Sequence, residues 1–383
     1  MKTVQNEKNA PMAVYVKRTR RDIRYKIAAL IDKLAPLGIL VAVPQMACAQ
    51  YTALKLPTGY VQVQGDIITT EDKAAQLFAQ MRGTNFSTDF TYAPGRLWPK
   101  GIVPYAFDIS IGPQSQLIFM AAMAAWQNFS SGVSTPTFIP VTGSEAAYIY
   151  FEEHNPGFVG GSTDYVGYNG GQVTIQIHPQ AVNQWLIAHE IGHALGLWHE
   201  QSRGDRGNYV TIVSGNIING KAGQFDVAAP QSTFGPYDYD SIMQYGSCAF
   251  SVCNSCGCPD PACETIQAVP QYSAQQCNMG QRTHLSAMDQ RGMAFMYAPP
   301  NWKFLYPKAN SAATGTFQDP YTTLSQAVAN PPANSTLWLG PGTYSATGMT
   351  IAQPMTLKAA ISDLQLQPNG SLGPSPSGYA TLQ

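Results

Sequence analysis

The residues best suited to catalysis lie in the stretch HEIGHALGLWHE, which begins at His189. On a helix, His189 and His193 lie about one turn apart, so both imidazoles can reach one metal ion. Glu190 lies beside them, where a carboxylate can act on a water molecule. The chain must turn at Gly196, which can leave helical geometry, if His199 is to bring a third nitrogen to the same ion. The spacing therefore predicts a metal centre with three histidine ligands.

Two histidines and a glutamate alone would also fit a solvated helix face. The glycine and the third histidine at fixed offsets favour zinc, and the full HExxHxxGxxH spacing is the metzincin pattern. The run SIMQYG (241–246) resembles the metzincin turn that carries a methionine. Because of the glutamate after the third histidine and the tyrosine two residues after the methionine, the chain resembles the astacin family of zinc endopeptidases. The segments HEQSRGDRGNYV (199–210), LWPKGIVPYAFD (97–108) and GQRTHLSAMDQRGMAFMY (280–297) support the same resemblance.

The resemblance implies a set of roles for the residues in these motifs. One zinc ion would be held by His189, His193 and His199. A bound zinc ion lowers the pKa of its water and polarises a carbonyl, so a hydroxide-like nucleophile exists near neutral pH. Glu190 would act as the general base that takes the proton of this water and as the acid that passes it to the leaving amine.

Other roles depend on residues near the third histidine. In astacins a tyrosine at the position of Tyr245 ligates zinc in the free enzyme and then stabilises the transition state; a buried structural tyrosine is the alternative. Met243 is expected to pack beneath the metal rather than bind it. Glu200 resembles the family glutamate that contacts the new N-terminus after activation, although it could equally pair with Arg203 or Arg206.

The N-terminus predicts a signal peptide over residues 1–49 and therefore a secreted protein. A basic region (17–26) precedes an apolar segment (34–43), and Ala-Cys-Ala (47–49) fits a small-residue cleavage site. Three alternatives stay open: a start at Met12, twin-arginine export, and a lipid-modified Cys48. The apolar segment is too short for a membrane span, and no later stretch is apolar for long enough.

Residues 50–90 are predicted to form a propeptide. Within VQVQGDI, Gly65 and Asp66 resemble the astacin aspartate switch, in which a propeptide carboxylate takes the water position on zinc and keeps the zymogen inactive. The alternative is that Gly-Asp forms only a turn. Cleavage is expected before Trp98, in the region 88–93.

Cysteine use agrees with an oxidising compartment. Apart from Cys48, the cysteines are Cys248, Cys253, Cys256, Cys258, Cys263 and Cys277. Three disulfides are the simplest interpretation, and six cysteines allow fifteen connectivities, which stay open. A second metal site in CxxCxC (253–258) is the alternative. Because this insertion follows the methionine turn, we hypothesise that it forms a disulfide-linked wall beside the substrate cleft.

The fold class that the resemblance implies is α+β, with a twisted, mostly parallel sheet, a zinc helix and a Met-turn over residues 91–298. Apolar periodicity predicts a helix over 114–129 with Trp126 buried, and alternation predicts a strand over 170–177. Astacins bind an extended substrate along an edge strand that precedes the zinc helix, and we place this edge at 165–168.

Beyond the Ala-Pro-Pro boundary (298–300), residues 301–383 resemble the start of a right-handed parallel β-helix. Two runs, Leu337–Leu339 and Met355–Leu357, fit successive rungs. Fold analogy alone suggests a carbohydrate or cell-surface partner for this β-rich segment. The net charge of −1 and a charged fraction of 12% argue against nucleic acid as a partner.

These features together predict a secreted zinc endopeptidase that is made as a zymogen and acts on proteins or peptides. Two other functions are weighed against it. One is an adhesion protein with a vestigial protease domain, which the complete set of site residues argues against. The other is metal-dependent hydrolysis of a non-peptide bond, which would need a cleft unsuited to extended strands.

Overall fold

The computed structural model describes most of the chain beyond residue 53. The described residues are 54–56, 59–82, 96–127, 136–154, 158–228, 235–306, 311–317, 319–329, 332–340, 342–347, 349–351, 353–359, 364–366, 372–374 and 380–382. All of them belong to one contact unit, Tyr51–Gln383. The predicted signal peptide (1–49) and the predicted cleavage region (88–93) lie outside the described residues.

Three short strands and a helix form the first described part of the chain, which we call the N-terminal segment (54–82). They are β1 (Leu54–Lys55), β2 (Val61–Gln64), β3 (Ile67–Thr69) and α1 (Glu71–Arg82). The strands pair antiparallel in chain order. Gly65, with a φ of +46°, lies in the tight turn between β2 and β3, in a conformation that glycine adopts readily. Both strands are buried along their length, so the segment is built into the fold.

Five more strands complete the main sheet. They are β4 (Ile102–Phe107), β5 (Thr137–Pro140), β6 (Tyr148–Glu153), β7 (Gly161–Thr163) and β8 (Gln172–Ile177). The order across the sheet is β1-β2-β3-β7-β8-β6-β4-β5. Strands β8, β6, β4 and β5 are parallel to one another, and β7 is antiparallel to β8. The predicted mostly parallel sheet and the predicted strand over 170–177 are confirmed.

Two helices pack on this sheet and carry the centre of the core. They are α2 (Pro113–Gln127) and α3 (Gln184–Ala194). The helix predicted over 114–129 is confirmed as α2, and Trp126 is fully buried. Its Nε1 donates a hydrogen bond to the Ala188 carbonyl oxygen at 2.8 Å, which joins the two helices. This bond satisfies the indole N–H of a buried tryptophan, a group that is costly to leave unpaired.

Gly192 lies where α3 approaches the turn over 241–246 most closely. An added Cβ would lie 2.6 Å from Met243 Sδ and 3.3 Å from Trp126 Cζ2. Alanine favours a helix by about 1 kcal/mol over glycine, but overpacking a core costs about 1–3 kcal/mol. Gly192→Ala is therefore expected to lower the free energy of unfolding by about 1 kcal/mol, measured by denaturant titration. Gly207→Ala is the control, because no atom lies within 4 Å of its added Cβ. A more stable Gly192→Ala protein would contradict the tight packing.

Residues 210–296 contain a two-stranded ribbon and one longer helix. Strands β9 (Val210–Ile212) and β10 (Ile266–Ala268) pair antiparallel, and α4 (Ala287–Met296) follows. Ser286 caps α4 in a capping box with Asp289. The Asp289 carboxylate also accepts a hydrogen bond from Ile242 N at 2.8 Å, so the first turn of α4 holds the turn that carries Met243.

The C-terminal segment is rich in short strands, which include a small parallel sheet. Its elements are β11 (Trp302–Leu305), α5 (Leu324–Ala329), β12 (Ser335–Leu339), β13 (Gly342–Tyr344), β14 (Met355–Ala359), β15 (Leu364–Leu366), β16 (Leu372–Pro374) and β17 (Ala380–Leu382). Strands β11, β12 and β14 are parallel, and Leu337 lies opposite Leu357. The two runs predicted as successive rungs thus lie side by side in parallel strands, and a β-helix built from them stays a prediction.

An aromatic cluster joins this segment to α4. Phe295 lies 5.3 Å from Phe304 and 5.0 Å from Trp338 between ring centroids, and Trp302 lies 4.9 Å from Trp338. Such contacts stabilise a core beyond the area that they bury. The chain beyond 298–300 therefore packs directly on helix α4.

Candidate metal centre and active site

Helix α3 presents the first two predicted ligands on its buried face. The Asn183 side chain caps the helix by accepting hydrogen bonds from two backbone N–H groups of the first turn. His189 and His193 follow on one face and are fully buried. Gly196 has a φ of +112°, so the helix ends there as the sequence predicts. The chain then turns back and brings His199, also fully buried, to the other two imidazoles.

The three imidazoles converge on a carboxylate from the N-terminal segment. Asp66 Oδ2 lies 2.9 Å from His189 Nε2. Asp66 Oδ1 lies 3.0 Å from His199 Nε2 and 3.3 Å from His193 Nε2. One ligand atom from each of the four residues lies within 4.8 Å of the others, a span that one metal ion can bridge.

The second nitrogen of each imidazole has an acceptor that orients the ring. Nδ1 of His189 lies 2.7 Å from the Ile242 carbonyl oxygen, and Nδ1 of His193 lies 2.8 Å from the Leu197 carbonyl oxygen. These bonds place the ring proton on Nδ1 and leave the Nε2 lone pair toward the centre, as zinc ligation requires. Nδ1 of His199 lies 3.2 Å from Gln64 Oε1, which belongs to the N-terminal segment.

Burial keeps two of the histidine ligands, His189 and His199, neutral. Loss of hydration lowers the pKa of His189 to about 3 and the pKa of His199 to about 4. Neutral imidazole is the form that binds a metal. Nitrogen lone pairs and a carboxylate that face one another repel unless a cation lies among them. Three nitrogens and one oxygen form a donor set that suits four-coordinate zinc, so the residues fit this metal.

Glu190 lies between the ligands and strand β7. Its Oε2 accepts a hydrogen bond from Thr163 Oγ1 at 2.7 Å. Among the described residues, its Oε1 is buried and has no hydrogen-bond partner. Burial raises the pKa of Glu190 well above its ordinary value, and the nearby Asp66 charge adds to this effect. A carboxyl group with a raised pKa and one unpaired oxygen is suited to proton transfer.

The turn over 241–246 lies against α3 and contains Met243, which is 2% exposed. Its carbonyl oxygen accepts a hydrogen bond from Glu200 N at 3.1 Å. Its sulfur faces Gly192 of α3, and the Met243 side chain belongs to the apolar core. The geometry therefore places this methionine in packing contact with the ligand helix.

Tyr245 stands beside the Gly65–Asp66 turn, with its ring 4.3 Å from the His199 ring between centroids. Among the described residues its hydroxyl is buried without a hydrogen-bond partner. Burial raises the pKa of Tyr245 well above its ordinary value, so the phenol keeps its proton. A Cβ on residue 65 would collide with this hydroxyl, which explains a glycine at Gly65.

Glu200 is buried and paired within the chain. Its Oε1 accepts a hydrogen bond from Arg203 Nη1 at 3.0 Å and from Asp238 N at 2.9 Å. Burial raises the pKa of Glu200 to about 7. In the uncleaved chain Glu200 therefore pairs with Arg203 and not with Arg206, and its contact with a new N-terminus stays a prediction.

The sheet edge beside the metal ligands is not at 165–168, so that prediction is wrong. Strand β7 is the strand beside the metal ligands, and it pairs with β3 of the N-terminal segment: Thr163 N donates a hydrogen bond to the Asp66 carbonyl oxygen at 3.0 Å. Tyr165 is fully buried and Gly167 has a φ of +75°, so the chain turns into the core after the strand. Aromatic residues favour strands, but here Tyr165 packs in the core outside any strand.

All six cysteines of the insertion are paired in disulfides. The pairs are Cys248–Cys256, Cys253–Cys263 and Cys258–Cys277. This pairing leaves none of these thiols for a second metal site, so the alternative over 253–258 is wrong. The sequence left fifteen connectivities open, and the structure selects one of them.

The insertion brings Phe250 into the cleft. Its φ is +55°, which is rare for a bulky residue. The ring lies 5.9 Å from the Tyr245 ring and 6.0 Å from the Phe225 ring between centroids. Phe250 lines a cavity of about 510 Å³ together with Leu186, Glu190, Lys221, Tyr245 and Arg282.

Comparison with known proteins identifies this arrangement. A family model described as Astacin (Peptidase family M12A) matches residues 90–298, which is more than half of the 383 residues. The chain belongs to the astacin family. Because this family is zinc-dependent, the three histidines are the zinc ligand set that its fold provides. The sheet, the ligand helix and the turn that carries Met243 agree with the α+β fold that the sequence predicts for this family.

Several relatives share this astacin region. The chain is 33% identical over 199 residues to the dorsal-ventral patterning protein tolloid of Drosophila melanogaster, covering 51% of this chain and 17% of tolloid. It is 32% identical over 216 residues to bone morphogenetic protein 1 of Xenopus laevis, covering 55% and 28%. It is 33% identical over 208 residues to zinc metalloproteinase nas-14 of Caenorhabditis elegans, covering 53% and 38%. The chain thus spans well under half the length of these curated relatives.

Among solved structures, the chain is similar to high choriolytic enzyme 1, a hatching enzyme zinc-protease from the medaka Oryzias latipes. The sequence identity is 27% and the TM-score is 0.42. The match covers 55% of this chain and 94% of that chain.

Three residues of the site were not found from sequence. Gln64 reaches a ligand from the N-terminal segment, Thr163 binds the carboxylate beside the ligands, and Arg282 lines the cavity. Arg282 stands in the segment over 280–297 that carries the resemblance, and this was the available signal. Gln64 and Thr163 belong to strands far from the ligands in sequence, so no local pattern marks them.

Proposed function

We propose that the chain is a secreted zinc endopeptidase of the astacin family that is made as an inactive zymogen and cleaves peptide bonds in proteins. The observation that supports this proposal most strongly is the convergence of three imidazole Nε2 atoms with a buried glutamate beside them. Cleavage of extended chains is favoured over other hydrolysis because β7, beside the metal ligands, pairs with β3 of the N-terminal segment. Removal of that segment would leave this side of β7 open to a substrate strand.

His189, His193 and His199 would hold the zinc ion. When bound, zinc polarises the carbonyl to be cleaved and lowers the pKa of water, so that attack can proceed near neutral pH. The Nδ1 contacts of His189 and His193 with backbone carbonyl oxygens hold these two rings in place. The contact of His199 with Gln64 would be lost together with residues 50–90.

Glu190 is the proposed general base and acid. Thr163 holds one of its oxygens, which leaves Oε1 to accept a proton from the attacking water and then deliver it to the leaving amine. Its raised pKa suits this role, because a carboxyl group that is too acidic would return the proton poorly.

Tyr245 is the proposed stabiliser of the transition state. Its protonated phenol can donate a hydrogen bond to the developing negative charge on the carbonyl oxygen. Contact with Gly65 blocks this role, because the N-terminal segment occupies the space beside the hydroxyl. Removal of that segment would free the phenol for substrate.

Residues 50–90 are the proposed propeptide, and Asp66 is its proposed inhibitory residue. Strand β3 lies along β7, with Ile67 opposite Thr163, so the segment covers the edge where a substrate strand would add. The Asp66 carboxylate meanwhile lies among the metal ligands. Cleavage near 88–93 would release both contacts, and residues 91–298 would form the active domain.

Secretion rests on two observations. The six paired cysteines of the insertion are typical of an oxidising compartment, and residues 1–49 read as a signal peptide. Among the described residues, no helix is both long and apolar enough to span a membrane. Residues 301–383 are proposed as a separate β-helix-like segment, and a carbohydrate or cell-surface partner for it stays a prediction.

Metal reconstitution tests the proposed activity. The exported chain is processed with trypsin, stripped with a chelator and then given one equivalent of zinc, while a quenched peptide library reports cleavage. We expect cleavage to disappear with the chelator and to return with zinc, and His199→Ala to bind zinc weakly and stay inactive. Equal cleavage before and after chelation would contradict a zinc-dependent reaction.

The disulfide-linked insertion is expected to influence peptide preference through Phe250. Phe250→Ala should lower kcat/KM by about tenfold for peptides with a large apolar residue beside the scissile bond, because the aromatic wall of the cleft is lost. Peptides with alanine at that position should change little. Val252→Ala, an exposed change in the same insertion, is the matched control. The wall hypothesis fails if all peptides slow in parallel.

A further inference from the structure

Asp164 directly follows strand β7 and holds a lysine of the N-terminal segment. Asp164 Oδ2 lies 2.5 Å from Lys73 Nζ, and the carbonyl oxygen of Gln172 accepts a second hydrogen bond from the same ammonium group at 3.4 Å. A carboxylate and a carbonyl oxygen together form a small site for one basic group.

The Asp164 carboxylate lies outside the N-terminal segment, and strand β8 orients it. Asp164 Oδ1 accepts a hydrogen bond from Thr174 N at 2.8 Å, and Asp164 N donates to the Thr174 carbonyl oxygen at 3.0 Å. The Asp164 side chain is 18% exposed. These bonds involve strand β8 rather than the N-terminal segment, so the site keeps its geometry when Lys73 leaves.

Lys73 lies in helix α1, which follows the strand that covers the substrate edge. If residues 50–90 are removed as proposed, Asp164 loses its ion-pair partner while Thr174 still holds its other oxygen. A largely buried carboxylate without a cation is unfavourable, because its lost hydration is not compensated. The exposed end of β7 then presents an oriented negative group to the incoming peptide.

We propose that Asp164 and the Gln172 carbonyl oxygen form a subsite for a lysine or arginine side chain of the substrate, which Lys73 occupies in the zymogen. The inference rests on the proposed peptidase function and adds a preference to it. A peptide that pairs antiparallel with β7 runs in the direction opposite to this strand (161–163). Its residues on the N-terminal side of the scissile bond then lie near Asp164, at the C-terminal end of β7 and past Glu190.

A lysine scan of one parent peptide tests the subsite. The trypsin-processed, zinc-loaded enzyme is given peptides with lysine or glutamine at each of four positions on either side of the scissile bond. We expect one position on the N-terminal side at which lysine raises kcat/KM by about tenfold, which is the effect of one hydrogen bond between charged groups. Asp164→Asn should remove the preference and leave cleavage of the glutamine peptides intact. Glu145→Gln removes a carboxylate of the turn over 142–145 and is the control.

Each outcome separates the subsite from the peptidase itself. Equal rates for lysine and glutamine peptides in the unmodified enzyme would overturn the subsite, and this comparison needs no variant to fold. A lysine preference that survives in Asp164→Asn would overturn it too. Failure to cleave any of the peptides would instead count against the proposed peptidase function.

Discussion

Glu190→Gln is expected to lower kcat/KM for peptide cleavage by about 10²- to 10⁴-fold, the range for loss of a general acid–base group. Glutamine keeps the size of the side chain and can still contact Thr163, but it cannot take a proton from water. The zinc ligands are unchanged, so the variant should bind one zinc ion per chain. Rates with a quenched peptide and metal content by mass spectrometry check both expectations.

Thr163→Val is the matched control for the Glu190 prediction. It removes the 2.7 Å hydrogen bond that fixes the carboxylate but leaves the carboxylate itself. The loss of rate should be about tenfold, the scale of one hydrogen bond to a charged group. A Glu190→Gln enzyme that retains full activity with bound zinc would show that another group transfers the proton.

Asp66→Asn is expected to give the unprocessed chain measurable peptidase activity. The Asp66 carboxylate lies 2.9 to 3.3 Å from three ligand nitrogens and accounts for the charge that the N-terminal segment presents to the metal. Breaking a buried charged contact costs about 3–5 kcal/mol, so the segment should leave the cleft about 10²- to 10⁴-fold more often. Activity of the uncut chain is measured with the peptide library, and gel electrophoresis verifies that the chain is intact.

Asp72→Asn makes the same charge change at an exposed residue in the first turn of α1 and should leave the uncut chain inactive. If both variants are equally inactive, strand pairing by β3 rather than the carboxylate keeps the cleft closed. If both are equally active, the zymogen proposal fails.

The centre of the site could be predicted from sequence because its geometry is local. Helical spacing brings His189 and His193 together, and Gly196 allows the turn toward His199. The same reasoning located helix α2 and strand β8, where apolar periodicity reports burial directly. Met243 was identified by motif, and its packing against α3 follows from the same close approach that explains Gly192.

Features that depend on distant parts of the chain could not be predicted. The edge strand was placed at 165–168 rather than at β7, because the burial of Tyr165 depends on tertiary packing and not on strand propensity. The disulfide pairing is one of fifteen combinatorial possibilities, and only the folded path of the insertion selects it. The contact between Lys73 and Asp164 joins residues of no shared motif, so nothing in the sequence indicates it.

One measurement bears most directly on the proposed zinc endopeptidase zymogen: cleavage of a quenched peptide library by the exported full chain, followed over time as limited trypsin treatment proceeds. We expect no cleavage at the start and activity that rises in step with loss of residues 50–90, and we expect a zinc chelator and Glu190→Gln to abolish it. A zinc-loaded chain that has lost this segment and cuts no peptide would contradict the proposed peptidase function. Full activity before any processing would contradict inhibition by Asp66.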